Sequence, residues 1–126
     1  VDGVPYLDGG IVDSIPIERA VSMGFRRNVV IATRNRGFRN TGKDRKIPRF
    51  IYKNYPRLRV ALSRRIALYN QQLDMLERME DSGEVLCIRP QRPMEVDRIE
   101  KDATKLERLY EEGYNLGDEF CRKGLL

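Results

Sequence analysis

Histidine and tryptophan are absent from this sequence of 126 residues, and only two cysteines occur in it. The lack of histidine excludes a Ser-His-Asp triad and removes the commonest metal ligand. Cys87 and Cys121 lie far apart among apolar neighbours, so we expect two buried free thiols rather than a disulfide or a metal site. No apolar run approaches the length of a membrane span, and the first residues lack a signal-peptide pattern, so we expect a cytoplasmic location.

Charge is abundant but unevenly distributed. Residues 34–65 contain half of the 24 lysines and arginines but only one of the 19 acidic residues, Asp44. Such a basic stretch is typical of a solvated surface, of contact with anionic lipid head groups or of contact with nucleic acid. We expect no nucleic-acid partner, because charge is the only feature that favours one. If the protein binds an anionic membrane peripherally, the candidate contact residues are Arg36, Arg39, Lys43, Arg45, Lys46 and Arg49.

Apolar runs predict an α/β fold with a partly parallel sheet and flanking helices. Three short strands are predicted, at 4–7, 28–33 and 85–89. The β-branched run at 28–33 is typical of a strand covered on both faces, and the order of elements indicates that it closes a βαβ unit with the first strand. A sheet this thin leaves an edge unpaired, which favours pairing between copies in a homo-oligomer or completion by another segment.

Helical periodicity marks three further segments. A short helix is predicted after Pro16 with Gly24 at its C-terminal cap, and a long amphipathic helix from about Leu58 to Asp81. A last helical stretch follows Ile99 and is expected to break near Gly113. The chain is therefore interpreted as one unit, with a strand and βαβ region at 1–34, a basic loop at 35–53 and a helical segment with one further strand at 54–126.

The most informative motif is Asp8-Gly9-Gly10 at the end of the first predicted strand. A carboxylate at a strand end, followed by glycines that let the chain turn sharply, lies where ligands bind in open α/β sheets. An ordinary turn explains the same residues.

Two further sets of polar residues have milder interpretations. Asp13 and Ser14, which precede Pro16, are expected to cap the short helix. Tyr52, Tyr55 and Tyr69 occur among the basic residues and are compatible with a stacking surface for nucleic acid. Tyr69 fits the apolar stripe of the long helix better.

The sequence resembles the bacterial patatin-like phospholipase family over nearly its whole length. The resemblance is carried by Asp8-Gly9-Gly10, by Asp-Ser-Ile-Pro at 13–16, by Asn-Val-Val-Ile-Ala-Thr-Arg at 28–34 and by later residues such as Tyr55-Pro56 and Ile88-Arg89-Pro90. It implies a three-layer α/β/α fold and a serine acyl hydrolase that uses a Ser-Asp dyad. Asp8 would be the catalytic aspartate, and Gly9 and Gly10 would form the wall of the active site. No metal or organic cofactor is implied.

The family pattern also includes a glycine-rich oxyanion loop and a Gly-x-Ser-x-Gly nucleophile elbow, and neither occurs in this sequence. Serines 14, 22, 63 and 82 lack the flanking glycines of such an elbow. Because Val1 is not an initiator residue, we expect a C-terminal fragment that supplies only the aspartate and is inactive alone. The alternative is a non-catalytic interaction domain that binds a partner or an anionic surface through residues 34–65.

Overall fold

Two short parallel strands and a long helix between them form the centre of this protein. A computed structural model describes residues 2–96 and 99–124. Within these ranges strand β1 spans Asn28–Ile31 and strand β2 spans Val85–Ile88. The strands pair in parallel, with Asn28 opposite Val85 and Ile31 opposite Ile88. Helix α2, Pro56–Asp81, connects them, so the βαβ unit is β1-α2-β2 and does not include residues 4–7.

The helix ends follow local signals in the sequence. Helix α2 has proline at its first position and ends just before Gly83, whose φ of +75° suits a residue without a Cβ. Helix α1, Ile17–Ser22, begins after Pro16 and is followed by Gly24 at φ +91°, as predicted. Helix α3, Ala103–Arg122, is capped by the Asp102 carboxylate, which accepts a hydrogen bond of 2.9 Å from the Thr104 N–H.

The core lies on one face of the sheet, where α1 and α2 pack. Leu76 of α2 is fully buried, and it clusters with Ile17 of α1 and with Val85 and Cys87 of β2. Val30 of β1 packs against the same cluster. Because successive strand residues point to opposite faces, Val29 and Ile31 face the other side of the sheet.

That other side is only partly covered. Helix α3 contacts β2 there, and Ile31 keeps 78% of its surface exposed. The expectation that residues 28–33 are covered on both faces is therefore wrong for the described part of the chain. A continuous apolar run is compatible with burial on both faces but does not require it, and within the described ranges Val29 and Ile31 of β1 stay exposed.

Three other predictions differ from the structure. Residues 4–7 form no strand, since the sheet of the described residues consists of β1 and β2, and Tyr6 and Leu7 are exposed. Gly113 does not interrupt α3, which continues to Arg122. Cys87 is buried as expected, but Cys121 is exposed because it lies on the solvent side of α3. In residues 2–96 and 99–124, no helix combines the length and the apolarity required to cross a bilayer.

Candidate functional site

Asp8 begins a tight turn that fixes one oxygen of its carboxylate. Residues Gly9–Ile11 form a single 3-10 turn, and Asp8 Oδ1 accepts a hydrogen bond of 2.8 Å from the Gly10 N–H. A Cβ at position 10 would lie 3.2 Å from that oxygen, so glycine permits the close approach. Asp8 is exposed, and its Oδ2 has no hydrogen-bond partner in the described part of the chain. The turn therefore fixes the orientation of the carboxylate through Oδ1 and leaves Oδ2 available.

Gln72 of α2 holds this turn against the body of the protein. Its Oε1 accepts a hydrogen bond of 3.1 Å from the Ser14 N–H, and its Nε2 donates one of 2.6 Å to Asp13 Oδ1. Gln72 is buried beside the core residue Leu73. Asp13 and Ser14 therefore do not cap α1, which has no side-chain cap, because Gln72 and Gly10 engage their polar atoms instead.

The four serine hydroxyls all make hydrogen bonds to groups within four positions along the chain. Ser14 Oγ donates to the Gly10 carbonyl at 2.8 Å, and Ser63 Oγ donates to the Val60 carbonyl at 2.9 Å. The Ser22 Oγ donates to the Arg19 carbonyl at 2.8 Å, and the Ser82 Oγ lies 3.1 Å from the Met79 carbonyl and 2.7 Å from Glu84 Oε1. Ser14, Ser22 and Ser63 therefore lack the adjacent base that a nucleophile needs, and Ser82, which has a carboxylate beside it, lies in the exposed turn that ends α2. Within the described residues, none of the four serines makes a hydrogen bond to the Asp8 carboxylate.

The basic loop, residues 35–53, runs back along α2 from its C-terminal end to its N-terminal end. The Arg36 side chain bonds to Asp81 and the Arg39 side chain to Glu77. Next along the loop, Asn40 exchanges two hydrogen bonds with the side-chain amide of Asn70, of 2.8 and 3.0 Å. The Asp44 carboxylate accepts from the Ile66 and Ala67 N–H groups, and the Arg49 carbonyl accepts from Arg59. The loop has no helix or strand of its own, so these contacts position it.

Ion pairs concentrate at the C-terminal half of α2. Glu77 pairs with Arg39 at 2.8 Å, and Glu80 pairs with Arg89 at 2.5 Å and with Arg36 at 3.1 Å. The hydrogen bond from Arg39 lowers the pKa of Glu77 to about 2, against the partial burial that opposes the charge. The Arg89 side chain is 91% buried, and its Nε approaches Cys87 Sγ at 3.2 Å. Burial raises the pKa of the Cys87 thiol, which makes it a poor nucleophile.

The predicted anionic-surface contacts therefore divide into two groups. Arg36 and Arg39 are engaged by the acids of α2, so they anchor the loop. The remaining four are exposed and have no ion pair with any described residue: Lys43, Arg45, Lys46 and Arg49.

An apolar cleft of about 300 Å³ opens where both strands end. Ile31, Ile88 and Met94 line it on one side, and Leu109 and Leu116 of α3 line it on the other. The carboxyl ends of parallel strands are the usual place for ligands in such sheets. None of the lining residues belongs to the Asp8 turn. Among the described residues, no three acidic or cysteine side chains come close enough together to hold a metal ion.

Sequence reasoning found Asp8 and its glycines but missed the residues that position them. Gln72 lies on the buried side of α2 where the periodic pattern would place an apolar residue, and that polar interruption is the signal that could have identified it. Glu77, Glu80 and Arg89 carried no comparable signal, because pairing across 9 to 44 positions leaves no local pattern.

Comparison with known protein families identifies the C-terminal half. A family model described as Domain of unknown function (DUF6363) matches residues 55–124, which is more than half of the chain. The chain belongs to this family. No curated protein and no solved structure matches the chain.

The DUF6363 match divides the described features in two. It contains α2, β2 and α3, and therefore the acids of α2, Gln72 and most of the apolar cleft. The Asp8 turn, β1 and the basic loop precede it. Asp8 thus lies outside the DUF6363 part, and Gln72 of that part bonds to Asp13 and Ser14, which follow the Asp8 turn.

Proposed function

We propose that this chain supplies the catalytic aspartate, Asp8, of a serine acyl hydrolase that cleaves acyl esters of lipids. The observation that carries the proposal is the Asp8 carboxylate, with Oδ1 bonded to the Gly10 N–H at 2.8 Å and Oδ2 without a partner among the described residues. The resemblance of the sequence around Asp8, Gly9 and Gly10 to patatin-like hydrolases supports the same role. The patatin-like three-layer fold is part of the proposal.

The chemistry requires a serine hydroxyl within hydrogen-bond reach of Asp8 Oδ2. As the serine oxygen bonds to the acyl carbonyl carbon, its proton passes to Asp8, and the carbonyl oxygen becomes an oxyanion. The same proton then goes to the departing alcohol as the ester C–O bond breaks. Water attacks the acyl-serine with Asp8 again as the base, which releases the fatty acid and regenerates the enzyme. A carboxylate can perform these transfers without histidine.

Serines 14, 22, 63 and 82 are bonded locally, so the proposal assigns the nucleophile to polypeptide outside residues 1–126. A fluorophosphonate probe, which labels activated serines, tests this assignment directly. We expect mass spectrometry of the labelled full gene product to find the probe on a peptide outside this sequence. Labelling of one of the four serines would contradict the assignment.

Asp8→Asn in the full gene product tests the dyad. Asparagine keeps the shape and the Gly10 hydrogen bond but cannot accept the serine proton, so we expect kcat for a soluble short-chain ester to fall by about 10³-fold or more. Asp2→Asn is the matched control, because Asp2 is an exposed acid in the same segment and asparagine tolerates its φ of +49°.

The control should retain kcat within about twofold. Retention of full activity by the Asp8→Asn protein would refute the dyad. Absence of any esterase activity in the unaltered gene product would favour the second candidate, a non-catalytic interaction domain. Its supporting observation is four exposed cations that form no ion pair with a described residue: Lys43, Arg45, Lys46 and Arg49.

A further inference from the structure

Positive and negative charges are separated along α2 and along the basic loop, residues 35–53, which packs against this helix. The C-terminal half of the helix carries the acids that bind Arg36, Arg39 and Arg89. Its N-terminal half carries Arg57, Arg59, Arg64 and Arg65, and no acid lies in its first turn. Asp44, the acid of the basic stretch, is occupied by two backbone N–H groups. The positive charge at the N-terminal end of α2 is therefore not neutralised by any described side chain.

The same end of the molecule exposes large apolar side chains. We define the tip as residues 45–55, which contain Arg45, Lys46, Arg49 and Lys53 and no acid. Phe50 is 80% exposed, and Ile51, Tyr52 and Tyr55 are also exposed. Two tight turns shape the tip, since the Ile51 N–H donates to the Pro48 carbonyl at 3.1 Å and the Tyr55 N–H to the Tyr52 carbonyl at 2.8 Å. Tyr52 has a φ of +54°, which a non-glycine residue adopts only at a cost.

From this arrangement we propose that the tip is a membrane-docking element, in which Phe50, Ile51 and Tyr52 enter the head-group region of an anionic bilayer. Apolar and aromatic side chains flanked by lysine and arginine have the composition of interfacial anchors. The four cations of the tip would lie at the level of the anionic head groups, which attract them. The inference rests on the proposed function for its purpose, because a lipid hydrolase must reach a bilayer.

The attachment of the loop supports docking as a rigid body. Ion pairs at Arg36 and Arg39, the Asn40–Asn70 amide pair and the Asp44 contacts tie the loop to α2 before the tip begins. Insertion of the tip would therefore orient the whole helix relative to the bilayer. No helix in the described ranges spans a membrane, so the contact would be peripheral.

Flotation of the full gene product with vesicles tests the proposal. We expect binding to phosphatidylcholine vesicles that contain phosphatidylserine and weak binding to pure phosphatidylcholine vesicles. Phe50→Ser should weaken binding by about tenfold, because an inserted phenyl ring is lost. Combined replacement of Arg45, Lys46 and Arg49 by glutamine should weaken binding by about tenfold or more and abolish the preference for phosphatidylserine.

Tyr110→Ser is the matched control, since Tyr110 is an aromatic residue of α3 with 70% exposure but lies outside the tip. It should bind vesicles as the unaltered protein does. Equal binding to both vesicle types, or unchanged binding of the Phe50→Ser protein, would overturn the proposal. Preferential retention of a single-stranded RNA oligonucleotide over vesicles would also overturn it and assign the basic surface to nucleic acid.

Two assays separate this inference from the dyad. The Phe50→Ser protein should hydrolyse a soluble ester at the normal rate and a vesicle-bound ester slowly, whereas the Asp8→Asn protein should bind vesicles normally and hydrolyse neither. Failure of the dyad thus appears in the soluble-ester rates, and failure of docking appears in the flotation.

Discussion

Gln72 uses both ends of its side-chain amide to join the Asp8 turn to α2. Its carbonyl oxygen accepts from the Ser14 N–H, and its amide nitrogen donates to the Asp13 carboxylate. Because Gln72 is buried, water cannot easily replace it as a partner of these groups. The position of the candidate carboxylate therefore depends on a residue that performs no chemistry itself.

Gln72→Leu should lower the free energy of unfolding by about 1–3 kcal/mol, because it leaves the Ser14 N–H and the Asp13 carboxylate without their partner in a partly buried position. Urea unfolding followed by circular dichroism measures this change. Gln71→Leu is the control, since the neighbouring side chain is exposed, and it should change stability by no more than about 0.5 kcal/mol. Equal effects of the two variants would contradict the structural role of Gln72.

Individual residues show where sequence reasoning succeeds and fails. The turn at Asp8-Gly9-Gly10 was predictable, because glycines after an acid constrain the local backbone. The capping role of Asp13 and Ser14 was a wrong prediction, because Gln72 lies 58 positions from Ser14 and local rules cannot detect it. The exposure of Cys121 was missed for a related reason, since apolar neighbours do not reveal which side of a helix meets solvent.

At the scale of elements, the long helix and both strands of the sheet were predictable from periodicity and from their glycine and proline boundaries. Helix α2 ends at Asp81, where the sequence places its end, and β1 and β2 fall within the predicted runs. The first predicted strand fails because a strand of four residues exists only when a neighbour pairs with it. Whether such a neighbour exists depends on the tertiary structure, so the sequence of residues 4–7 alone cannot predict it.

Helix α3 provides a test of backbone preference, because its Gly113 and the Gly83 that follows α2 both have open space where a Cβ would lie. Gly113 is helical, so Gly113→Ala should stabilise the protein by about 0.5–1 kcal/mol. Gly83 has a φ of +75°, so Gly83→Ala should cost about 1–2 kcal/mol. Thermal unfolding of both variants checks the two signs. Destabilisation by Gly113→Ala would indicate that α3 is broken there, as the sequence alone suggests.

At the scale of the whole molecule, the core is small and, in the part of the chain that the structure describes, the sheet has only two strands. The buried cluster contains one residue from α1, one from α2 and two from β2, while Val29 and Ile31 leave the other face of β1 exposed. Within the described ranges, only β2 pairs with β1. Pairing between copies at this edge stays a prediction, and it would occur through the backbone N–H and C=O groups of β1.

The free energy of unfolding of the protein should fall in acid, because protonation of Glu77 weakens its ion pair with Arg39. The pKa of Glu77 is about 2 when folded and 4.5 without its partners, so its contribution is complete above pH 4.5 and is lost as the pH falls toward 2. Arg39→Gln removes the main cause of this shift. We expect the variant to be less stable at pH 7 by about 1–2 kcal/mol, and the difference to shrink between pH 4.5 and pH 2.

Urea unfolding at pH 7, 4.5 and 3 measures this pH dependence. Arg45→Gln is the control, because Arg45 is an exposed cation without an ion pair to a described residue, and its effect should be small and nearly constant with pH. A constant difference between the Arg39→Gln protein and the unaltered protein across this range would rule out Glu77 as the source.

The basic loop precedes α2 in the chain but packs along it, and this order affects synthesis on the ribosome. The Asp8 turn, the loop and β1 all bond to residues between 59 and 88, so each must wait until α2 and β2 have emerged. Arg36 and Arg39 of the loop are therefore synthesised before Asp74, Glu77 and Glu80, the acids with which they form ion pairs. During that interval the nascent segment before α2 carries an excess of positive charge and lacks its folded contacts, so it is open to proteases and attracted to any nearby polyanion.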